Sequence, residues 1–216
     1  MKEQLINYIA DHPIIPVFYH DDLETCQHIM EACYAGGIRV FEFVNRGKNA
    51  QTNFKALLAY KENNFPAMKL GIGTILRVDQ AEEYLKLGAE FLVSPIFNES
   101  IAKIAALHNT LWIPGCMTPT EIAAAQAVGC NFIKLFPGDT LGPGFLNSIR
   151  PLFSGIKFMP TGGVDVTEES IQSWFSAGVI AVGLGSKLFK KTENQYDYTQ
   201  ITAMCESLLK WTTNES

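Results

Sequence analysis

No apolar run in this 216-residue chain reaches the length needed to cross a bilayer. The opening residues, Met1-Lys2-Glu3-Gln4-Leu5, lack the long apolar core of a secretory leader. A basic cluster is missing as well: 17 Lys and Arg stand against 22 Asp and Glu, a net charge of −5. That balance argues against a nucleic-acid or anionic-membrane partner. An anionic ligand must then be held by local backbone amides and one or two cations. The five cysteines, at 26, 33, 116, 130 and 205, are odd in number and form no CxxC pair. Free thiols in a reducing compartment fit that count better than a disulfide framework, and Cys26 and Cys33, seven apart in a helical stretch, are expected to face the protein core. Histidine is scarce. His12, His20, His28 and His108 make no HxH or HxxxH cluster, so no metal site and no cofactor are expected, and only His20 sits where it would reach a site. The expectation is a soluble cytoplasmic protein.

Repetition is the main positive signal. Four times a helix-like stretch stops at glycine and an apolar, strand-like run follows: at Gly36-Gly37, Gly88, Gly129 and Gly178. Glycine just past a helix end adopts the left-handed conformation without a Cβ penalty, which allows a short turn into a strand. Eight runs qualify as strands, at 14–19, 38–45, 69–74, 91–96, 111–116, 132–137, 157–161 and 180–184. They are short and apolar without clean alternation, as strands buried on both faces should be. The intervening stretches have helical periodicity. Asp79 is expected to cap one helix, and Thr118 with Glu121 has capping-box spacing. A further helix over residues 2–11 precedes the first strand. Eight βα units predict an α/β fold, the (β/α)8 TIM barrel with an extra N-terminal helix, as a single domain over residues 1–216. An open doubly wound sheet normally carries a glycine fingerprint after its first strand, and here Phe18-Tyr19-His20-Asp21-Asp22 has none.

In such barrels the active site lies at the C-terminal strand ends. Lys134 lies in the apolar run Phe132-Ile133-Lys134-Leu135-Phe136. A lysine in an apolar pocket has its ammonium form disfavoured, so the neutral amine becomes available as a nucleophile. Glu42 lies in Val40-Phe41-Glu42-Phe43-Val44, and a semi-buried carboxylate beside such a lysine can shuttle protons. Each residue also has a structural reading: a lysine that snorkels outward, or a buried salt bridge without catalysis. Arg46, on the same strand face as Glu42, has the planar fork that grips a carboxylate. Thr161-Gly162-Gly163 and Gly185-Ser186 end the seventh and eighth runs, where barrels recurrently bind phosphate through backbone N–H groups.

Taken together, several blocks resemble the 2-keto-3-deoxy-6-phosphogluconate (KDPG) / 4-hydroxy-2-oxoglutarate (KHG) aldolase family. They are Gly37-Ile38-Arg39-Val40-Phe41-Glu42, Gly71-Ile72-Gly73-Thr74-Ile75-Leu76, Ser94-Pro95, residues 113–121, residues 132–137 and Pro160-Thr161-Gly162-Gly163. The resemblance implies a class I (Schiff-base) aldolase, a carbon–carbon lyase that cleaves 2-keto-3-deoxy-6-phosphogluconate to pyruvate and glyceraldehyde 3-phosphate. Cleavage of 4-hydroxy-2-oxoglutarate to pyruvate and glyoxylate is a further activity it implies. Lys134 matches the family's Schiff-base lysine and Glu42 its general acid/base. Arg46, Thr74, Pro95, Phe136 and Thr161 match substrate-binding positions, and Gly162, Gly163, Gly185 and Ser186 the phosphate-binding ones. Members commonly form trimers, so a homotrimer is expected. Pro114-Gly115-Cys116-Met117-Thr118, Leu141-Gly142-Pro143 and residues 183–186 are closer to the family's galactonate branch, whereas Arg46 and Pro160-Thr161 lean toward the gluconate branch. The resemblance therefore fixes the pyruvate-forming half and leaves both epimers at C4 open. A barrel that only binds sugar phosphates is the non-enzymatic alternative.

Overall fold

The computed structural model describes residues 2–192 and 195–212. Helix α1 (Lys2–Asp11) leads into β1 (Ile14–Phe18), α2 (Leu23–Ala35), β2 (Val40–Val44), α3 (Ala50–Asn64) and β3 (Lys69–Gly73). Next come α4 (Val78–Leu87), β4 (Phe91–Val93), α5 (Glu99–Leu107), β5 (Leu111–Ile113), β6 (Gly115–Cys116) and α6 (Pro119–Ala127). The remainder is β7 (Phe132–Leu135), α7 (Gly138–Ile149), β8 (Lys157–Pro160), α8 (Glu168–Ala177) and β9 (Val182–Leu184). A small hairpin of β10 (Lys191–Thr192) and β11 (Gln195–Tyr196) precedes α9 (Tyr198–Lys210).

The strands lie in a six-stranded parallel sheet, ordered β5-β4-β3-β2-β1-β9, and a three-stranded parallel sheet, β6-β7-β8. The run expected at 111–116 divides at Pro114, because proline has no N–H to give the ladder. Its carbonyl still accepts from the Lys134 N–H at 2.9 Å, which carries the bonding across the break. On the other side, Thr161 bridges Gly183 in parallel register, and the Ile180 N–H donates to the Phe158 carbonyl at 3.0 Å.

Two hydrophobic cores follow from the alternation of side chains along these strands. One lies between helices and sheets. The other draws on strands of both sheets and contains Ile15, Val40, Phe91, Val93, Ile113, Phe132 and Met159. Ile6 and Ile9 of α1 belong to that inner core and are fully buried, so α1 plugs the N-terminal end of the strands. Close packing there depends on Gly71, where a Cβ would strike the Phe91 ring.

The glycine stops behave as expected: Gly37, Gly88, Gly129 and Gly178 all have positive φ, between 86° and 103°. Thr118 and Glu121 form the expected capping box of α6, and Cys26 and Cys33 are buried on α2. Asp79 does not cap α4. The cap position is Arg77, two residues earlier, Gln80 accepts from the Leu76 and Arg77 N–H groups, and Asp79 instead pairs with Arg77. No helix among the described residues is long and apolar enough to cross a membrane.

Candidate active site

Lys134 and Glu42 come from strands that are not neighbours and meet across the interior. The register sets Glu42 beside Gly71 and Val17, and Lys134 beside Gly115 and Met159. Both side chains are buried, at 1% exposure for Glu42 and 5% for Lys134. The Lys134 Nζ lies 3.9 Å from the Glu42 Oε1 and 5.0 Å from the centre of the Phe136 ring. Gly73 makes space for this pair, since a Cβ there would overlap the Glu42 Oε1. Burial pushes the Glu42 carboxyl above its ordinary value, and the Lys134 charge offsets only part of that.

The base of the molecule holds a lysine–glutamate cluster of the same chemistry that serves as a control. There Glu90 receives Lys61 and Lys69 at 2.9 Å each and the Leu70 N–H at 2.8 Å, so both its oxygens are satisfied. In the interior pair the closest approach is longer, and the Glu42 Oε2 has no hydrogen-bond partner. A carboxylate buried for stability should be paired at hydrogen-bonding distance, because an unsatisfied buried oxygen costs about 1–3 kcal/mol. The buried Thr161 Oγ1 is likewise unpartnered. Such open polar valences are suited to an incoming molecule.

They border a cavity of about 420 Å³ at the C-terminal strand ends. Every residue that the sequence assigns a catalytic, substrate-binding or phosphate-binding role lines it: Glu42, Arg46, Thr74, Pro95, Lys134, Phe136, Thr161, Gly162, Gly163, Gly185 and Ser186. Thr74 has φ +63°, unusual for a β-branched residue, and Gly162 and Gly163 have φ +87° and +75°. Among the described residues no hydrogen bond occupies the N–H groups of Gly162, Gly163, Gly185 or Ser186. The cavity is also lined by residues that sequence reasoning missed, notably Tyr19, Lys187 and Tyr196. His20 is not among the lining residues; its Nδ1 accepts from the Asp22 N–H at 3.2 Å. Among the described residues no three His, Cys, Asp or Glu side chains converge to hold a metal ion.

The family model for aldolases of the KDPG and KHG type matches residues 5–204. The chain belongs to this family. It is 29% identical over 198 residues to 2-dehydro-3-deoxy-phosphogluconate aldolase of Treponema pallidum (strain Nichols), covering 91% of this chain and 92% of the relative. With the KHG/KDPG aldolase of Escherichia coli (strain K12) it shares 32% identity over 164 residues, 76% of this chain and 75% of the relative. Among solved structures, a KDPG aldolase from Legionella pneumophila with pyruvate captured as a covalent carbinolamine superposes with a TM-score of 0.83. That pair shares 28% identity and covers 94% of this chain and 97% of the other. The protein is accordingly a carbon–carbon lyase of the aldolase class, acting on small keto-acid sugar-phosphate substrates.

Proposed function

We propose that the two parallel sheets form one closed (β/α)8 barrel, a single domain whose mouth cleaves 2-keto-3-deoxy-6-phosphogluconate to pyruvate and glyceraldehyde 3-phosphate. The observation that carries this reading is the under-satisfied Glu42–Lys134 pair, buried together at one end of a cavity whose other end is two glycine loops. Closure is supported by the Lys134–Pro114 bond and the Thr161–Gly183 bridge on either side of the smaller sheet.

In this reading the Lys134 amine attacks the C2 carbonyl of the keto acid, forming a carbinolamine that loses water to an iminium. Glu42, the adjacent titratable group, moves the protons for both steps. It then takes the proton of the C4 hydroxyl as the C3–C4 bond breaks, releasing the aldehyde and leaving an enamine on Lys134. Protonation at C3 and hydrolysis return pyruvate and the free amine. Arg46, Thr74 and Thr161 hold the carboxylate and keto end, with Pro95 and Phe136 as its apolar walls. The N–H groups of Gly162, Gly163, Gly185 and Ser186 receive the phosphate. The cavity also has room for 4-hydroxy-2-oxoglutarate, whose cleavage needs only the first half of this apparatus, and for the galactonate epimer.

The enzyme is read as a cytoplasmic homotrimer. Leu76, Ile96 and Met117, which follow β3, β4 and β6, are 40%, 48% and 43% exposed and are proposed as an apolar surface for a second copy.

Borohydride trapping with pyruvate, beside cleavage assays on the gluconate and galactonate phosphates and on 4-hydroxy-2-oxoglutarate, tests the reading. A reduced pyruvyl adduct on the Lys134 peptide is expected, and Lys134→Arg should abolish both adduct and turnover, since guanidinium stays protonated. An adduct on Lys69 or Lys157 instead would overturn it.

A further inference from the structure

We propose that Lys187 is a positioning residue for the phosphate end of the substrate, locking the glycine loop after β8 onto the loop after β9; this rests on the phosphate reading of those loops. Lys187 follows Ser186, and its Nζ crosses to the other loop, donating to the Gly163 carbonyl at 2.6 Å and to Asp165 Oδ1 at 2.6 Å. Three successive carbonyls of that loop are thereby occupied. Those of Thr161 and Gly162 accept from the Gly138 and Asp139 N–H groups at the start of α7, at 2.8 and 2.9 Å, and that of Gly163 accepts from Lys187.

The first two are fixed by backbone, and only the third depends on a side chain. In a planar trans peptide the carbonyl and the following N–H point in opposite directions, so holding the Gly163 oxygen also sets the N–H of Val164, which lines the cavity beside Gly162 and Gly163 and would be a further donor to the phosphate. Without the lysine, this peptide would follow two consecutive glycines with φ +87° and +75°, residues that move between left- and right-handed conformations at little cost. An anion cradle of main-chain N–H groups binds well only if their directions are set in advance. The Lys187 charge is met by Asp165, so its main contribution is orientation rather than attraction.

The two roles predict opposite signs for Asp165. If Lys187 positions, Asp165→Ala loosens the ammonium and weakens phosphate binding; if it acts by charge, the same change strengthens it.

The test compares Lys187→Met, Lys187→Arg and Asp165→Ala with the wild type on the phosphorylated keto acid and on 4-hydroxy-2-oxoglutarate, alongside melting temperatures. For Lys187→Met, KM for the phosphorylated substrate should rise about tenfold or more, the scale of one lost charge-assisted hydrogen bond. kcat should stay within roughly threefold, and the phosphorylated-to-non-phosphorylated ratio of kcat/KM should fall by the same factor as KM rises. Asp165→Ala should shift KM in the same direction by less, and Lys187→Arg, which keeps a donor, should recover most of the ratio. An unchanged ratio in Lys187→Met, an equal loss on both substrates with a lowered melting temperature, or a lower KM in Asp165→Ala would overturn the proposal. A wild type that neither prefers the phosphorylated substrate nor is inhibited by inorganic phosphate would instead remove the phosphate reading itself.

Discussion

Glu42 is held in the folded protein at a cost to stability. Its carboxyl is buried with one oxygen unpartnered, and burial raises its pKa despite the nearby lysine. A group whose pKa is raised on folding contributes stability while it is protonated and loses that contribution as pH rises through its folded value. Glu42→Gln removes the titration while keeping the shape. The variant should therefore melt at or above the wild-type temperature at neutral pH, with the gap widening toward alkaline pH and closing in acid. Turnover should nonetheless fall by about 10²- to 10⁴-fold, the usual contribution of a general acid–base group. The acid limb of the wild-type kcat/KM profile, displaced upward from the ordinary carboxylate range, should vanish with it. Melting curves and pH–rate profiles on one preparation decide this; a destabilised variant with near-normal turnover would make Glu42 a structural ion pair. At this scale the sequence was informative where a residue contradicted its surroundings, as Glu42 and Lys134 do within apolar strands. Tyr19 and Lys187 contradict nothing around them, and only the folded chain brings them to the cavity.

Among the elements, β3 has the least visible and most specific task. Gly73 presents no side chain, and that gap is filled by the carboxylate of the neighbouring strand. Gly73→Ala is expected to leave the fold intact, since no left-handed φ is needed there, but to push Glu42 away from Lys134. A misplacement of about 1 Å can cost on the order of 100-fold in rate, so turnover should fall by that order while pyruvate trapping at Lys134 persists. Normal turnover would show that the carboxylate has space to move. Strand and helix existence was largely legible, because glycine stops and apolar runs are local signals. The division at Pro114 was legible in principle, since a ladder cannot use a proline nitrogen. The β10–β11 hairpin was not: two-residue strands carry no periodicity, and Tyr196 reaches the cavity from there. The start of α4 was misplaced because Gln80 caps from within the helix, a task expected of Asp79.

For the whole molecule, assembly is the property least written in any one segment. Leu76, Ile96 and Met117 are far apart in sequence, and they are grouped in the proposed contact because they follow β3, β4 and β6 at the same strand ends. If the protein assembles as the proposed trimer, Ile96→Asp should place a charge in that contact and yield monomers, as measured by light scattering coupled to size exclusion. A wild type already monomeric at micromolar concentration would remove that contact.

The plug formed by Ile6 and Ile9 has a kinetic corollary. If the strands close into the proposed barrel, the plug seals its base, the cavity is a cul-de-sac, and whatever enters last must leave first. In the proposed reaction pyruvate is tethered to Lys134 at the blind end, and the phosphorylated aldehyde lies between it and the mouth. Release is then ordered, aldehyde before pyruvate, and synthesis in reverse must load pyruvate first. Product-inhibition patterns read this directly: pyruvate should compete with the sugar acid for free enzyme, and the aldehyde should inhibit noncompetitively. Competitive inhibition by both products would mean that the molecule has a second exit.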